Sequence, residues 1–308
     1  MHPQSLTGQR SRRITAINPA APPAPYALAR RALWLLACCH PEPALAVTTL
    51  STLLAVSTGR GWGSLWVASA IGTGQLHVGW TNDFLDRHRD AAAGRRDKPV
   101  ARGAVDQRAV GWAAALALPA AMLLSTESGT RAAAAHGVSL LAAGVYNLGL
   151  KGTALSPLAY AAGFGALPSF LTLGAQDGES APPWATVAGA LLGSGAHFLQ
   201  VLPDIERDRA QGTMGLPQRL GLRTSALAGS VMMSASALTV VRAARPRRRA
   251  AAAALATTLG LAGTVALSAF VGRPTAAFRL GLITAASTVA TLALSGARLM
   301  PGRRLEGG

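Results

Sequence analysis

Asp83–Gly103 reads DFLDRHRDAAAGRRDKPVARG, and Leu202–Gly221 reads LPDIERDRAQGTMGLPQRLG. Shifted by 118 residues, the two stretches coincide without a gap at Asp86/Asp204, Arg89/Arg207, Asp90/Asp208, Gly94/Gly212, Pro99/Pro217 and Gly103/Gly221. Self-similarity at fixed spacing marks a repeated structural unit. Each copy follows a long apolar run and opens a basic loop, so the unit is an apolar helix whose end carries acids.

The remainder of the chain explains what kind of helix this is. Only 14% of its 308 residues are charged and 50% are apolar, whereas a soluble domain carries roughly 25% charged residues. That deficit is too large for a water-facing surface. Apolar runs fall at 43–59, 62–81, 105–124, 132–150, 155–175, 184–202, 224–241, 250–271 and 276–297, and about 20 residues suffice for a helix to cross a bilayer. The expected fold is all-α, a polytopic transmembrane bundle of about nine helices with an internal repeat. Ala and Gly dominate the runs, and small residues let membrane helices approach closely.

The expected organisation is a disordered cytoplasmic N-terminal tail over 1–25, Pro-rich at Pro19, Pro22, Pro23 and Pro25, a transmembrane domain over 26–300, and a short C-terminal tail over 301–308. The tail lacks the ordered basic, apolar and small-residue regions of a cleavable signal. A net charge of +16 in a soluble protein suggests nucleic acid. Here the basic residues sit at helix ends, which points to membrane topology and anionic headgroups, with no nucleic acid and no obligate protein partner. With the N-terminus inside, 19 of the 29 Lys and Arg fall on the inner side; Arg242, Arg245, Arg247, Arg248 and Arg249 break the pattern. Cys38 and Cys39 are adjacent and too few for a Cys-rich metal site, so they read as packing residues.

The repeat copies lie four spans apart, which brings both acidic helix ends to one membrane face. Asn82, Asp86 and Asp90 recur every four residues and line one helix face, as do Asp204 and Asp208. Like charges at this spacing repel, and a carboxylate in the bilayer costs roughly 2.5–3.5 kcal/mol. A hard divalent cation offsets both, and Mg²⁺ typically takes one or two carboxylates plus substrate phosphates. Taken singly, each cluster also fits a solvated helix end paired with neighbouring Arg. Deeper on the same faces stand Gln75 and Gly79 before Asn82, and His197 and Gln200 before Asp204, as candidate cavity-lining groups; His77 and His136 lie off these faces.

The N-x-x-x-D-x-x-x-D pattern at Asn82–Asp90, the KPVARG that follows it, and D-x-x-x-D at Asp204–Asp208 resemble the two Asp-rich motifs of the UbiA superfamily of intramembrane prenyltransferases. The similarity runs from about Cys39 to Leu299 and extends to the nine-helix count. It implies that Asn82, Asp86, Asp90, Asp204 and Asp208 hold Mg²⁺ bound to a prenyl diphosphate, and that Lys98 neutralises the leaving group. Tyr146 and Lys151 resemble the family's Tyr–Lys pair, with four intervening residues in place of three. Arg95, Arg96, Arg102, Arg207 and Arg209 are further phosphate candidates. Where many relatives carry Arg-Pro at the start of helix one, this chain reads His40-Pro41-Glu42-Pro43. Absence of that Arg argues against a carboxylated aromatic acceptor. His40 and Glu42 either orient a neutral hydroxyl-bearing acceptor or form the turn that starts the helix.

The resemblance implies a multi-pass protein of the cell membrane with its active site on the cytoplasmic side. The expected reaction is Mg²⁺-dependent prenyl transfer to an aromatic, quinone-precursor or hydroxyl acceptor through an allylic cation. The rival within the fold is a membrane terpene cyclase, which needs no acceptor. A transporter also uses repeats and midplane polar groups, but here the acids lie at helix ends.

Overall fold

Each apolar run forms a helix in the computed structural model, which describes residues 32–176, 178–294 and 299. The tails expected at 1–25 and 301–308 lie outside these residues. The long helices are α1 (Pro41–Ser57), α2 (Gly63–Ala92), α3 (Gln107–Thr126), α4 (Thr130–Leu148), α5 (Ser156–Leu173) and α6 (Pro183–Gln200). Two short helices, α7 (Ile205–Ala210) and α8 (Leu216–Leu220), precede α9 (Leu222–Ala244), α10 (Arg248–Phe270) and α11 (Pro274–Leu294). Among the described residues there is no β-strand. Five segments are long and apolar enough to cross a membrane: α3, α6 with its continuation to Ala210, α9, α10 and α11.

Pro stands in the first turn of α1, α5 and α6, where its missing N–H costs nothing and its φ is already helical. The repeat is written into the backbone as well. Gly94 and Gly212, and likewise Gly103 and Gly221, all adopt positive φ, from 64° to 84°. Four of the repeated positions therefore serve chain reversal in two equivalent loops, because only Gly takes this conformation without a Cβ penalty.

Successive helices pack side by side, and α11 returns to α1, so that α1, α2, α4, α5, α6, α9 and α11 enclose a central space. Helix α3 packs outside α2 and α4, and α10 outside α9 and α11; accordingly only 11% of the apolar window of α10 is buried. Lipid offers no hydrophobic drive for helix association, so close packing and cross-helix hydrogen bonds carry it. Between α5 and α6 a Cβ on Gly193 would lie 2.5 Å from Phe164 Cβ and 2.6 Å from the Tyr160 carbonyl. Ser236 Oγ donates to the Ala188 carbonyl at 2.8 Å and Ser139 Oγ to the Gly163 carbonyl at 2.7 Å. Hydrogen bonds of this kind contribute about 0.6 kcal/mol each.

Candidate active site

The acidic ends of α2 and of the α6–α7 segment open into one cavity of about 860 Å³. From α2 the lining is a stripe at helical spacing: Ile71, Gln75, Val78, Gly79, Asn82, Asp86 and Asp90. The opposite wall carries Asp204 and Asp208. The second pair does not sit on an unbroken continuation of the His197–Gln200 face, as the spacing alone suggested. Helix α6 stops at Gln200, and a 3₁₀ turn containing Pro203 (Leu202–Asp204) restarts the chain as α7. Proline has no N–H to continue the ladder, and the break re-aims the second acids.

Basic side chains hold most of the acids apart. Lys151 Nζ donates to both oxygens of Asp86 at 2.6 Å, and Arg89 pairs with Asp86 Oδ2 at 2.8 Å. Arg207 pairs with Asp204 at 2.6 Å, so the repeated Arg makes the same i,i+3 bridge in both copies. Two contacts tie the copies together: Arg95 approaches Asp204 at 3.6 Å, and Arg89 donates to Thr213 Oγ1 at 2.8 Å. Gln218 Nε2 donates to Asp208 Oδ2 at 2.7 Å. Asn82 donates to Asp86 Oδ2 and to Asn147 Oδ1, each at 3.2 Å, while Asn147 is itself anchored on the Val78 carbonyl. Asp90 is only 5% exposed and lines the cavity, and its carboxylate makes no hydrogen bond or ion pair with a described residue.

In the loop beyond α2, Arg95 also grips Asp97 at 2.6 Å. That hydrogen bond lowers the Asp97 carboxyl to about 2 and pushes the Arg95 guanidinium above its ordinary value.

Lys98 is more committed than the sequence suggested. Its ammonium lies 2.6 Å from Asp83 Oδ1 and 2.9 Å from His40 Nε2. Asp83 is 1% exposed, and its other oxygen has no partner. His40 forms the turn that starts α1, in a left-handed conformation with φ 53°, and its ring lines the cavity 3.4 Å from Asn82 Oδ1. Positive φ in a non-Gly residue costs about 1–2 kcal/mol and gathers at functional sites.

Tyr146, Lys151 and Gln200 all line the cavity. The extra residue between Tyr146 and Lys151 is absorbed by a 3₁₀ turn, Leu150–Gly152, behind Gly149. His197 does not line the cavity. It is buried behind the wall, bonded to Ser156 Oγ at 3.0 Å and stacked on Tyr160 at 4.6 Å. Arg102 and Arg207 also stand outside the lining, Arg102 stacking over Trp34 at 4.1 Å and Arg207 lying on Asp204. Conversely, His136 does line the cavity, from α4. Sequence reasoning passed over Asp83, Asn147, Gln218, Tyr160 and Phe164. Asp83 sits inside the first motif and Gln218 inside the second repeat, so their positions were the available signal.

Among the described residues no group of three or more His, Cys, Asp or Glu is gathered tightly enough to hold a metal unaided. Asp86 and Asp204 are drawn onto cations and Asp208 onto Gln218 instead. A second, apolar cleft of about 130 Å³ shares Pro43, Val47, Phe164, Leu167, Gln200 and Phe278 with the main cavity and runs on past Leu54, Leu171 and Leu292.

The UbiA prenyltransferase family profile matches residues 44–271 of the chain. Among curated proteins, none matches significantly by sequence. Among solved structures, the apo form of a UbiA homolog from Aeropyrum pernix K1 superposes with a TM-score of 0.67 at 20% identity, covering 82% of this chain and 98% of that one. A UbiA homolog from Archaeoglobus fulgidus bound to GPP and Mg²⁺ gives 0.62 at 13% identity, covering 84% and 99%. A structure of digeranylgeranylglyceryl phosphate synthase gives 0.62 at 12% identity, covering 87% and 99%. At these identities the likeness is one of fold.

Proposed function

The chain belongs to the UbiA prenyltransferase family, and from that premise we propose that it transfers a prenyl group from an isoprenoid diphosphate to a nucleophilic acceptor, an electron-rich ring or a hydroxyl. The observation that carries the reading is the convergence of two sequence-distant acidic motifs, interleaved with cations, on one cavity at the ends of apolar helices. A solved relative binds GPP with Mg²⁺.

The donor set fits that ion. Asn82, Asp86, Asp90, Asp204 and Asp208 offer only oxygen toward the cavity, apart from the Asn82 amide nitrogen, and Asp90 is buried without a partner. Mg²⁺ needs only one or two carboxylates when phosphates and water complete its shell, so splayed acids suit it better than a closed cage. Bound there, the ion supplies Lewis-acid stabilisation of the leaving diphosphate.

The protein's own groups do the rest. Lys151, Arg89, Arg95 and Lys98 bring positive charge to where the leaving group gains negative charge. In the bound state Lys151 exchanges part of its grip on Asp86 for phosphate oxygen. The C–O bond ionises inside a water-poor space walled by Tyr146, Tyr160 and Phe164, which limits quenching by hydrolysis. The prenyl tail extends into the apolar cleft toward Leu54 and Leu292. The acceptor captures the allylic cation and releases a proton. The basic loops at 87–102 and 207–223 share the site's end of the bundle, which favours the cytoplasmic face.

The decisive test is Asp86→Ala and Asp204→Ala in membranes supplied with a prenyl diphosphate. Both variants lose Mg²⁺-dependent diphosphate release; retention in both refutes the assignment. Product mass with and without an aromatic acceptor separates transfer from cyclisation.

A further inference from the structure

The cavity has an inner end remote from the acidic motifs. Gln75 lies two turns inward from Asn82 on α2, about 10 Å by helix rise, and its side-chain amide makes no hydrogen bond with a described residue. His136, 3% exposed, lines the same cavity from α4 and packs on Gly74, the residue before Gln75, a Cβ on which would lie 3.2 Å from His136 Nε2. Its protonation pattern follows from its neighbours. Ser125 Oγ lies 2.6 Å from the Ala121 carbonyl and 2.7 Å from His136 Nδ1. The carbonyl can only accept, so the single hydroxyl proton goes there, and the ring must donate from Nδ1. Nε2 keeps a bare lone pair with no described partner. Two residues, one with an unpaired amide and one with an unpaired imidazole nitrogen, thus line one space at membrane depth, where lone polar groups are costly and mark function.

Resting on the prenyl-transfer reading, we propose that this inner end is the acceptor site, and that the acceptor presents a neutral hydroxyl to it. The hydroxyl proton is donated to His136 Nε2, and the Gln75 amide donates to the hydroxyl oxygen. A carboxylate lacks the proton that Nε2 requires. It also meets no counter-charge, because the cations lining the cavity, Arg89, Arg95, Lys98, Lys151 and Arg279, belong to the helix ends and loops on the acidic side. The competing occupant, the prenyl tail, has a better berth. Among the polar side chains of the apolar cleft, Ser236 and Thr288 are already bonded to the carbonyls of Ala188 and Thr284. Two substrates therefore meet two differently lined extensions of one cavity. The diphosphate occupies part of the 10 Å between Asn82 and Gln75, and an acceptor of one or two rings spans the remainder.

The test uses the full chain in detergent with Mg²⁺ and geranyl S-thiolodiphosphate, an analogue that resists ionisation. Naphthalene-1,4-diol, its dimethyl ether and naphthalene-2-carboxylate are titrated by calorimetry. The diol is expected to bind more tightly than the other two. Gln75→Leu weakens the diol roughly 2- to 12-fold, the loss of one neutral hydrogen bond, with little effect on the ether. The same variant leaves thiolodiphosphate affinity unchanged and melts no lower than the parent, since it removes an unpaired amide. His136→Phe repeats the loss of diol affinity from the other side. Equal diol affinity in parent and Gln75→Leu overturns the proposal, as does tight carboxylate binding. A Gln75→Leu effect on geranylgeranyl thiolodiphosphate in place of the diol overturns it too, by putting the tail at this end. Failure of the parent to bind any thiolodiphosphate is a separate result that removes prenyl transfer itself.

Discussion

Lys98→Met tests whether the loop lysine holds the fold, the substrate or both. Its partner Asp83 is 1% exposed, takes the ammonium at 2.6 Å on one oxygen, and has no partner on the other. Removing one member of a buried pair costs roughly 3–5 kcal/mol, because the remaining charge is left uncompensated. His40 Nε2 stays 3.5 Å from the same oxygen, which places the loss near the lower figure. About 3 kcal/mol is roughly a 150-fold change in the folded-to-unfolded ratio, or about 6–12 °C in melting temperature for a large domain. Lys98→Met with Asp83→Leu removes both charges and is expected to return within about 1 kcal/mol of the parent, since deleting a whole buried pair is close to neutral. If Lys98 also faces the diphosphate, the double variant still binds a prenyl thiolodiphosphate about 10- to 100-fold more weakly, the loss of one charge-assisted hydrogen bond. Thermal unfolding in detergent and calorimetric titration of the analogue read the two effects separately. Should Lys98→Met melt within a degree of the parent, the buried pair is not structural and the reasoning fails.

Three further outcomes are expected. Gly193→Ala forces a methyl to within 2.6 Å of the Tyr160 carbonyl and Phe164 Cβ, so about 1–3 kcal/mol of overpacking lowers the melting temperature and raises KM for the prenyl diphosphate. Because the Arg95 hydrogen bond lowers Asp97 to about 2, the loop's contribution is fully present above the ordinary carboxylate range near pH 4. It is lost as pH falls from about 4 toward 2; amide exchange across 94–106, corrected for its intrinsic pH dependence, should show constant protection from pH 8 to 5 and loss only in that acid window. Lys151→Met leaves Asp86 with Arg89 as its one cationic partner among the described residues, and a 10-fold or larger loss of thiolodiphosphate affinity with Mg²⁺ in excess is the result to look for in a titration.

Much of the architecture was legible in the residues. The apolar runs gave the helices because in a bilayer a spanning segment must satisfy its own backbone. The repeat put both acidic ends on one face because four spans separate them, and Asn82, Asp86 and Asp90 shared a stripe because 3.6 residues make a turn. Which side chains reach the cavity was a different matter. His197 has the spacing of a lining residue yet stands behind Tyr160, while His136, on the wrong period for the acidic helices, lines the cavity from α4.

Spacing along one helix fixes what that helix presents, and that much belongs to the sequence: the bundle, the repeat, the two acidic motifs and their common end. Rotation of one helix against another is set by close contacts such as Gly193 on Tyr160, and by breaks such as Pro203. Those contacts join residues far apart in the chain and leave no local period to read. Only the tertiary structure could therefore tie Lys98 to Asp83, send Arg102 to Trp34 and bring Gln75 and His136 to one cavity from different helices.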